Sequence, residues 1–333
     1  MFELPFIWAG LIAFAVLAYV IFDGFDLGIG ILFPFLGEDA DRDQAMNSVA
    51  PVWDGNETWL ILGGGGLMAA FPVAFAVVMP ALYAPITVML LGLVFRGVAF
   101  EFRWRTEAGK HLWDIAFAAG SVAATLAQGI ALGALVQGIP VTNRGYGGGW
   151  WDWLTWFSLL TGIALVVGYA LLGATWLILK TSGQLQVRAR RFAWISALGT
   201  LALIGLVSLI TPFLDPIFMQ RWFAWPAIIY TAPVPVFVAL AALALFWGLY
   251  REREAVPFLA SIGLFVLSYI GLGISFYPYI VPPSLTIWDA AAPDSSLKFL
   301  LVGASVLLPL ILGYTAWAYW VFRGKVDPGA SYH

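Results

Sequence analysis

The chain has 333 residues, of which 62% are hydrophobic and only 11% charged, whereas charged residues make up about a quarter of a soluble globular chain; a soluble fold is excluded and an integral membrane protein is required. Zero cysteines and two histidines exclude disulfides, iron–sulfur clusters and thiolate-bound copper or zinc, and leave too few imidazoles for a bis-histidine haem beside a copper centre. The net charge is −3 and the sixteen basic residues are spread over several loops, so there is no basic patch for nucleic acid.

The length accommodates about eight to ten spanning helices and nothing else, so residues 1–333 are expected to form a single transmembrane domain. The opening MFELPFIWAG carries an acidic residue and no basic one, and the apolar run after it has no small-residue cleavage pattern. The first helix is therefore expected to be retained and not cleaved as a secretory signal. Apolar stretches fall at 5–33, 52–71, 74–96, 114–138, 153–179, 192–213, 227–249, 256–280 and 297–321, predicting an all-α protein of nine transmembrane helices. Only Phe71-Pro72 separates the second stretch from the third; proline disfavours a helical conformation in the residue before it.

The basic residues test that count. Loops after odd-numbered helices hold thirteen of the sixteen lysines and arginines, and loops after even-numbered helices hold only Arg144, Arg221 and Lys298. Cytoplasmic loops collect positive charge, so the expectation is an outside N-terminus and a cytoplasmic C-terminus. The opposite connections, NRGYGGGWWDW and WDAAAPDSS, read as interfacial loops whose tryptophans belong to the aromatic belt.

Against this background the intramembrane charges stand out. Asp23 and Asp26 lie in IFDGFDLGIG, three apart and hence on one helix face, where an uncompensated carboxylate costs at least about 2.5 kcal/mol. A proton relay is one reading. The other is that the helix has already reached the headgroups and the pair is solvated. In PVWDGNETWLILGGGG, Asp54 and Glu57 stand where a spanning helix opens and its dipole favours negative charge, so Asp54 reads either as a functional carboxylate or as a cap. Gly63 to Gly66 leave a bare helix surface for close helix contact, a bulky cofactor or a lipid chain; no Lys-Ser/Thr follows, so this is not a phosphate loop. In FRGVAFEFRWR, Arg96 can reach back to a carboxylate, while Glu101, Arg103 and Arg105 are expected to form a solvated basic face. His111 in the next loop and His333 at the C-terminus are poor haem ligands. Gln128, Gln137 and Asp289 read as structural hydrogen-bonding residues.

The segments DGFDLGIGIL, NSVAPVWDGNETWLI, FRGVAFEFRW, YPYIVPPSLTIWDA and YTAWAYW, in this order from about residue 8 to 320, resemble subunit II of the cytochrome bd-type quinol oxidases. The compact length and short loops look most like the cyanide-insensitive branch. The resemblance implies a heterodimer with a haem-bearing subunit I in the bacterial inner membrane, oxidising quinol and reducing dioxygen to water. It implies haems b and d in that partner and no cofactor bound by this chain, an interior able to hold a quinone or membrane lipid, and room for a small accessory subunit. It places the family's carboxylates on Asp26 and Asp54, with Asp23 beside them, as a water-linked proton relay from the cytoplasm; Glu57 stands where relatives can carry Gln and is left out. The competing class is a proton-coupled secondary transporter, motivated by the Gly/Pro-interrupted helices and intramembrane carboxylates. It would purify colourless, without a haem partner.

Overall fold

A computed structural model of the chain describes residues 3–106 and 108–327; His333 lies outside them. Helix α1 (Leu4–Leu32) starts on a proline at its first turn and tightens into a 3-10 turn at Phe33–Phe35. A short polar helix, α2 (Asp39–Asn47), follows with Asp39 and Asp41 in its first turn, where the helix dipole favours them. Helix α3 (Trp53–Ala70) then runs back along α1: a Cβ on Gly63 or Gly66 would lie 3.2 Å from Val16 or Ile12, whereas Gly64 and Gly65 face away with nothing within 4 Å.

The expected third stretch is divided. Helix α4 (Pro72–Ala81) ends at Leu82, with φ −109° and ψ 21°, and α5 (Tyr83–Arg103) begins there. Pro85 has no N–H to offer the Ala81 carbonyl, and its ring clashes with that carbonyl in a continuous helix. Beyond come α6 (Lys110–Gln137), a hairpin of β1 (Val141–Thr142) and β2 (Gly145–Tyr146), and α7 (Trp156–Lys180), whose start is fixed by a Thr155–Ser158 capping box. Helix α8 (Gly183–Ile210) leads to three shorter or bent pieces, α9 (Pro216–Phe223), α10 (Ile228–Thr231) and α11 (Pro233–Tyr250). The chain closes with α12 (Ala255–Phe276), a second hairpin of β3 (Tyr279–Val281) and β4 (Leu285–Thr286), the turn α13 (Ile287–Ala290) and α14 (Asp294–Val321).

Among the described residues, eight helical stretches are long and apolar enough to cross a membrane, which makes this an all-α integral membrane protein. Helix α3, with 18 residues that include Asp54 and Glu57, is not one of the eight. Both hairpins lie at one end, the hairpin end, where the Ala292 N–H donates to the Ala70 carbonyl at 2.8 Å and the Ile139 N–H to the Pro282 carbonyl at 3.3 Å. The other, basic end holds α2.

Helix α7 is the centre: every residue from Gly168 to Ile178 is buried, whereas α14 buries little beyond Leu297. Its Tyr169, Leu171, Leu172 and Leu177 belong to the same buried core as Phe25, Leu27 and Ile29 of α1. The two backbones touch directly, because a Cβ on Gly28 would lie 1.9 Å from the Tyr169 carbonyl oxygen. Small residues permit this approach, and in lipid such packing supplies the association that the hydrophobic effect cannot.

At the basic end the segment after α14 is strapped down. The Val326 N–H donates to the Lys180 carbonyl at 2.8 Å, Lys180 Nζ donates to the carbonyls of Phe322 and, at 2.7 Å, Gly324, and Gln44 Nε2 donates to the Val326 carbonyl at 3.1 Å. Lys325 pairs with Glu254 at 2.5 Å.

Two outcomes follow from these contacts. Gly28→Val should prevent close packing of α1 on α7 and destabilise by at least the upper part of the about 1–3 kcal/mol range for overpacking, read as loss of monodisperse protein after solubilisation. Hydrogen bonds from Lys325 and Gln186 hold the Glu254 carboxyl below the usual glutamate range. The contribution of the pair is therefore complete above that range and disappears as pH falls through the lowered value. For so exposed a pair it is only about 0.2–1 kcal/mol. Protection of the amides of residues 322–327 against exchange, taken relative to the intrinsic rate at each pH, should fall modestly in acid, and Glu254→Gln should remove that dependence.

Candidate functional site

Helix α1 carries Asp23 and Asp26 nine and six residues before its end at Leu32, about 14 and 9 Å along the axis. Both are buried, at 0% and 2% exposure; the reading in which they are solvated at headgroup depth is overturned, because α3, α5 and α7 close around this turn. Arg96 of α5, itself buried, donates through Nη1 to Asp23 Oδ1 at 2.6 Å and through Nη2 to Glu57 Oε1 of α3 at 2.5 Å. Its guanidinium lies 5.7 Å from the Trp53 ring centroid. A planar fork with two donor edges suits this bridging position as a lysine would not.

Asp26 takes a neutral partner. Asn56 Nδ2 donates to Asp26 Oδ2 at 2.7 Å and to the Phe22 carbonyl at 3.2 Å, while Asn56 Oδ1 accepts from the Tyr319 hydroxyl of α14 at 2.9 Å. The second carboxylate oxygens, Asp23 Oδ2 and Asp26 Oδ1, are buried without a hydrogen-bond partner among the described residues. A crevice lined by Asp26, Val49, Trp53, Arg96, Phe100 and Phe117 lies beside them. One turn before Asp23, the Tyr19 hydroxyl accepts from Gln128 Nε2 at 2.7 Å, and Gln128 Oε1 accepts from the Tyr169 hydroxyl at 3.0 Å. Gln128 thus ties α6 to α1 and α7, the structural role expected of it. Three carboxyl groups face one guanidinium here, so the cluster is anionic unless protons neutralise it, and charge of that kind is rare in a membrane segment outside functional sites.

Asp54 is exposed in the first turn of α3, whose N-cap is Val52. It is neither the cap nor the α3 partner of Asp26; Asn56, two residues on, holds that place. Sequence reasoning missed Asn56 and Tyr319, although an uncharged amide at the opening of a spanning helix was a legible signal for the first. The expectation of a solvated basic face fails at Arg103. It is fully buried, paired with Asp43 of α2 and, at 2.5 Å, with Asp114 of α6, because the unforeseen helix α2 folds its acidic face over the end of α5. Glu101 and Arg105 are exposed as expected. His111 is exposed at the start of α6, a position that does not fit a buried haem. Among the described residues no group of three or more His, Cys, Asp or Glu side chains is placed to hold a metal ion.

A bundle of membrane-crossing helices with a buried carboxyl and guanidinium cluster near one end defines a polytopic membrane protein equipped to handle charge away from water. The model of the family described as cytochrome bd terminal oxidase subunit II matches residues 4–322, and the chain belongs to that family; it is a multi-pass subunit of a terminal oxidase. It is 32% identical over 362 residues to cytochrome bd-I ubiquinol oxidase subunit 2 of Escherichia coli (strain K12), covering 97% of this chain and 95% of the relative. It is 29% identical to cytochrome bd ubiquinol oxidase subunit 2 of Bacillus subtilis (strain 168), covering 96% of each. The fold is similar to a chain in the structure of bd oxidase from Geobacillus thermodenitrificans, with a TM-score of 0.74 at 19% identity over 97% of this chain and 99% of that one.

Arg96→Leu should leave Asp23 and Glu57 facing each other without a cation and destabilise by about 3–5 kcal/mol, the usual result of removing one partner of a buried pair. Arg96→Lys, which keeps the charge but can serve only one edge well, should fall between. Thermal unfolding of the purified complex compares the two.

Proposed function

We propose that this chain is the haem-free subunit II of a quinol:oxygen oxidoreductase in a bacterial inner membrane, where it supports a haem-bearing subunit I and leads protons to it. Counting α3 with the eight longer stretches gives nine spans in one transmembrane domain, with the termini on opposite sides. The charge bias of thirteen to three puts the basic end, and with it the C-terminus, in the cytoplasm, leaving the N-terminus outside. Haems b and d of the partner supply the oxygen chemistry when bound; the donors of this chain do not fit them. The outward faces of Gly64 and Gly65 suit a lipid or quinone tail, and a small accessory subunit is compatible with the largely exposed α14.

Reduction of dioxygen to water consumes one proton per electron, and for this energy-conserving reaction those protons must come from the cytoplasm. Asp54, exposed at the basic end, is the group that exchanges with water there. The two inner aspartates divide the remaining work. Each keeps one oxygen without a hydrogen-bond partner among the described residues, but Asp23 is charge-paired with Arg96 whereas Asp26 is held by a neutral amide. Asp26 is therefore the carboxyl that accepts and releases the travelling proton, with Asp23 and Arg96 fixing the local field; a water link from Asp54 requires the side chains beside Asp26 to part, because the crevice there is too tight for a water molecule. The observation that carries this reading is the neutral partner of Asp26 beside a charge-paired Asp23.

The test is quinol-driven oxygen consumption by the purified complex. Asp26→Asn should slow turnover about tenfold or more, within reach of the contribution typical of a positioned proton-transfer group, and leave the haem absorption spectrum intact. Asp54→Asn should slow it less, because water can replace an exposed acceptor. Full turnover in Asp26→Asn would end the relay reading, and loss of the haems would make the residue structural.

A further inference from the structure

Asn56 is bonded at both ends of its amide. Both N–H donors are engaged, one by Asp26 Oδ2 and one by the Phe22 carbonyl, and its oxygen accepts from the Tyr319 hydroxyl. The phenol is the donor seen on that oxygen, so Tyr319 holds the oxygen end of the amide and leaves the nitrogen end to the carboxylate. The phenol is itself fixed. Its ring lies 5.4 Å from Phe22, 6.4 Å from Phe25 and 6.3 Å from Trp176 between centroids, and Phe25 stacks on Trp176 at 4.2 Å. Phe22 and Phe25 flank the two aspartates on α1. Three and five residues beyond Tyr319, the carbonyls of Phe322 and Gly324 are held by Lys180, the residue that closes α7.

We propose, resting on the proton role assigned to Asp26, that Tyr319 is a positioning residue for that role: through Asn56 it orients the amide that holds Asp26, and the Lys180 strap keeps Tyr319 in register. The otherwise exposed helix α14 thereby gains a part in the proton route without touching a carboxylate. Without the hydroxyl, Asn56 Oδ1 becomes a buried acceptor with no donor, a state that a side chain leaves by rotating, and rotation takes Nδ2 away from Asp26.

The experiment compares Tyr319→Phe, Asp26→Asn and the double variant in the intact complex, measuring quinol-driven turnover, the solvent deuterium isotope effect and haem content. Tyr319→Phe should lower kcat about three- to tenfold, the size of one lost hydrogen bond. It should leave KM for quinol and the haem spectrum unchanged, raise the isotope effect, and cause no further loss when Asp26 is already Asn. Lys180→Met should give a smaller effect of the same kind. If Asp26→Asn is impaired but Tyr319→Phe turns over normally, or if the two losses multiply in the double variant, the positioning role fails and the relay stands. If Asp26→Asn turns over normally, the relay itself is wrong and the positioning role goes with it. Loss of haem in Tyr319→Phe would make the residue structural and overturn the proposal.

Discussion

The guanidinium of Arg96 is enclosed by protein in a segment that would otherwise face hydrocarbon, with Asp23 at 2.6 Å on one edge and Glu57 at 2.5 Å on the other. Removing an ion from water costs several kcal/mol even after relaxation, and only tight geometry with further hydrogen bonds offsets that. The helices α1, α3 and α5 that supply these three groups are therefore not free to slide past one another. A shift of one residue along any axis, about 1.5 Å, would break a contact whose loss leaves a bare charge. The depth of this cluster sets the register of α3 against α1, and so places Gly63 and Gly66 where α1 can approach them. It also fixes which residues of the α3 opening meet α1, namely Asn56 on Asp26 and not Asp54.

That register explains what was legible beforehand and what was not. The apolar stretches, the acidic pair three apart on α1 and the arginine able to reach back could be read directly, because each depends only on local composition or helical period. The partner of Asp26 could not. Spacing says that Asp54 and Glu57 share a face of α3, but the rotation of that face is decided by Arg96, which turns Glu57 inward and brings Asn56 against α1, leaving Asp54 exposed. Arg103 misleads for a related reason. A basic residue at the end of a spanning helix normally reaches the headgroups, and only a polar nine-residue helix in a loop, with no amphipathic apolar stripe to announce it, buries this one. The break at Leu82 was within reach, since Pro85 demands it; the long apolar run concealed it.

The two ends of the bundle are stabilised by different means. At the hairpin end, backbone hydrogen bonds join connecting segments directly, as from Ile139 to Pro282. At the basic end, α2 lies under a lattice of ion pairs in which Asp43, Asp114, Arg42, Arg103 and Lys110 each serve more than one partner or lie beside one that does. Shared partners matter here, because isolated surface pairs contribute little whereas a buried guanidinium with two carboxylates cannot lose either without exposing charge to a poor solvent. Helix α2 is thus fixed as firmly as a spanning helix despite lying outside the apolar core.

Between the ion pairs of the rim and the Arg96 cluster, one buried carboxyl has no cation bonded to it. Asp26 lies between the two, bonded to an amide and not to a cation. The two aspartates, three residues apart on one helix and equally buried, are thus made inequivalent by what α3 and α5 bring to them: a guanidinium for Asp23 and an amide for Asp26.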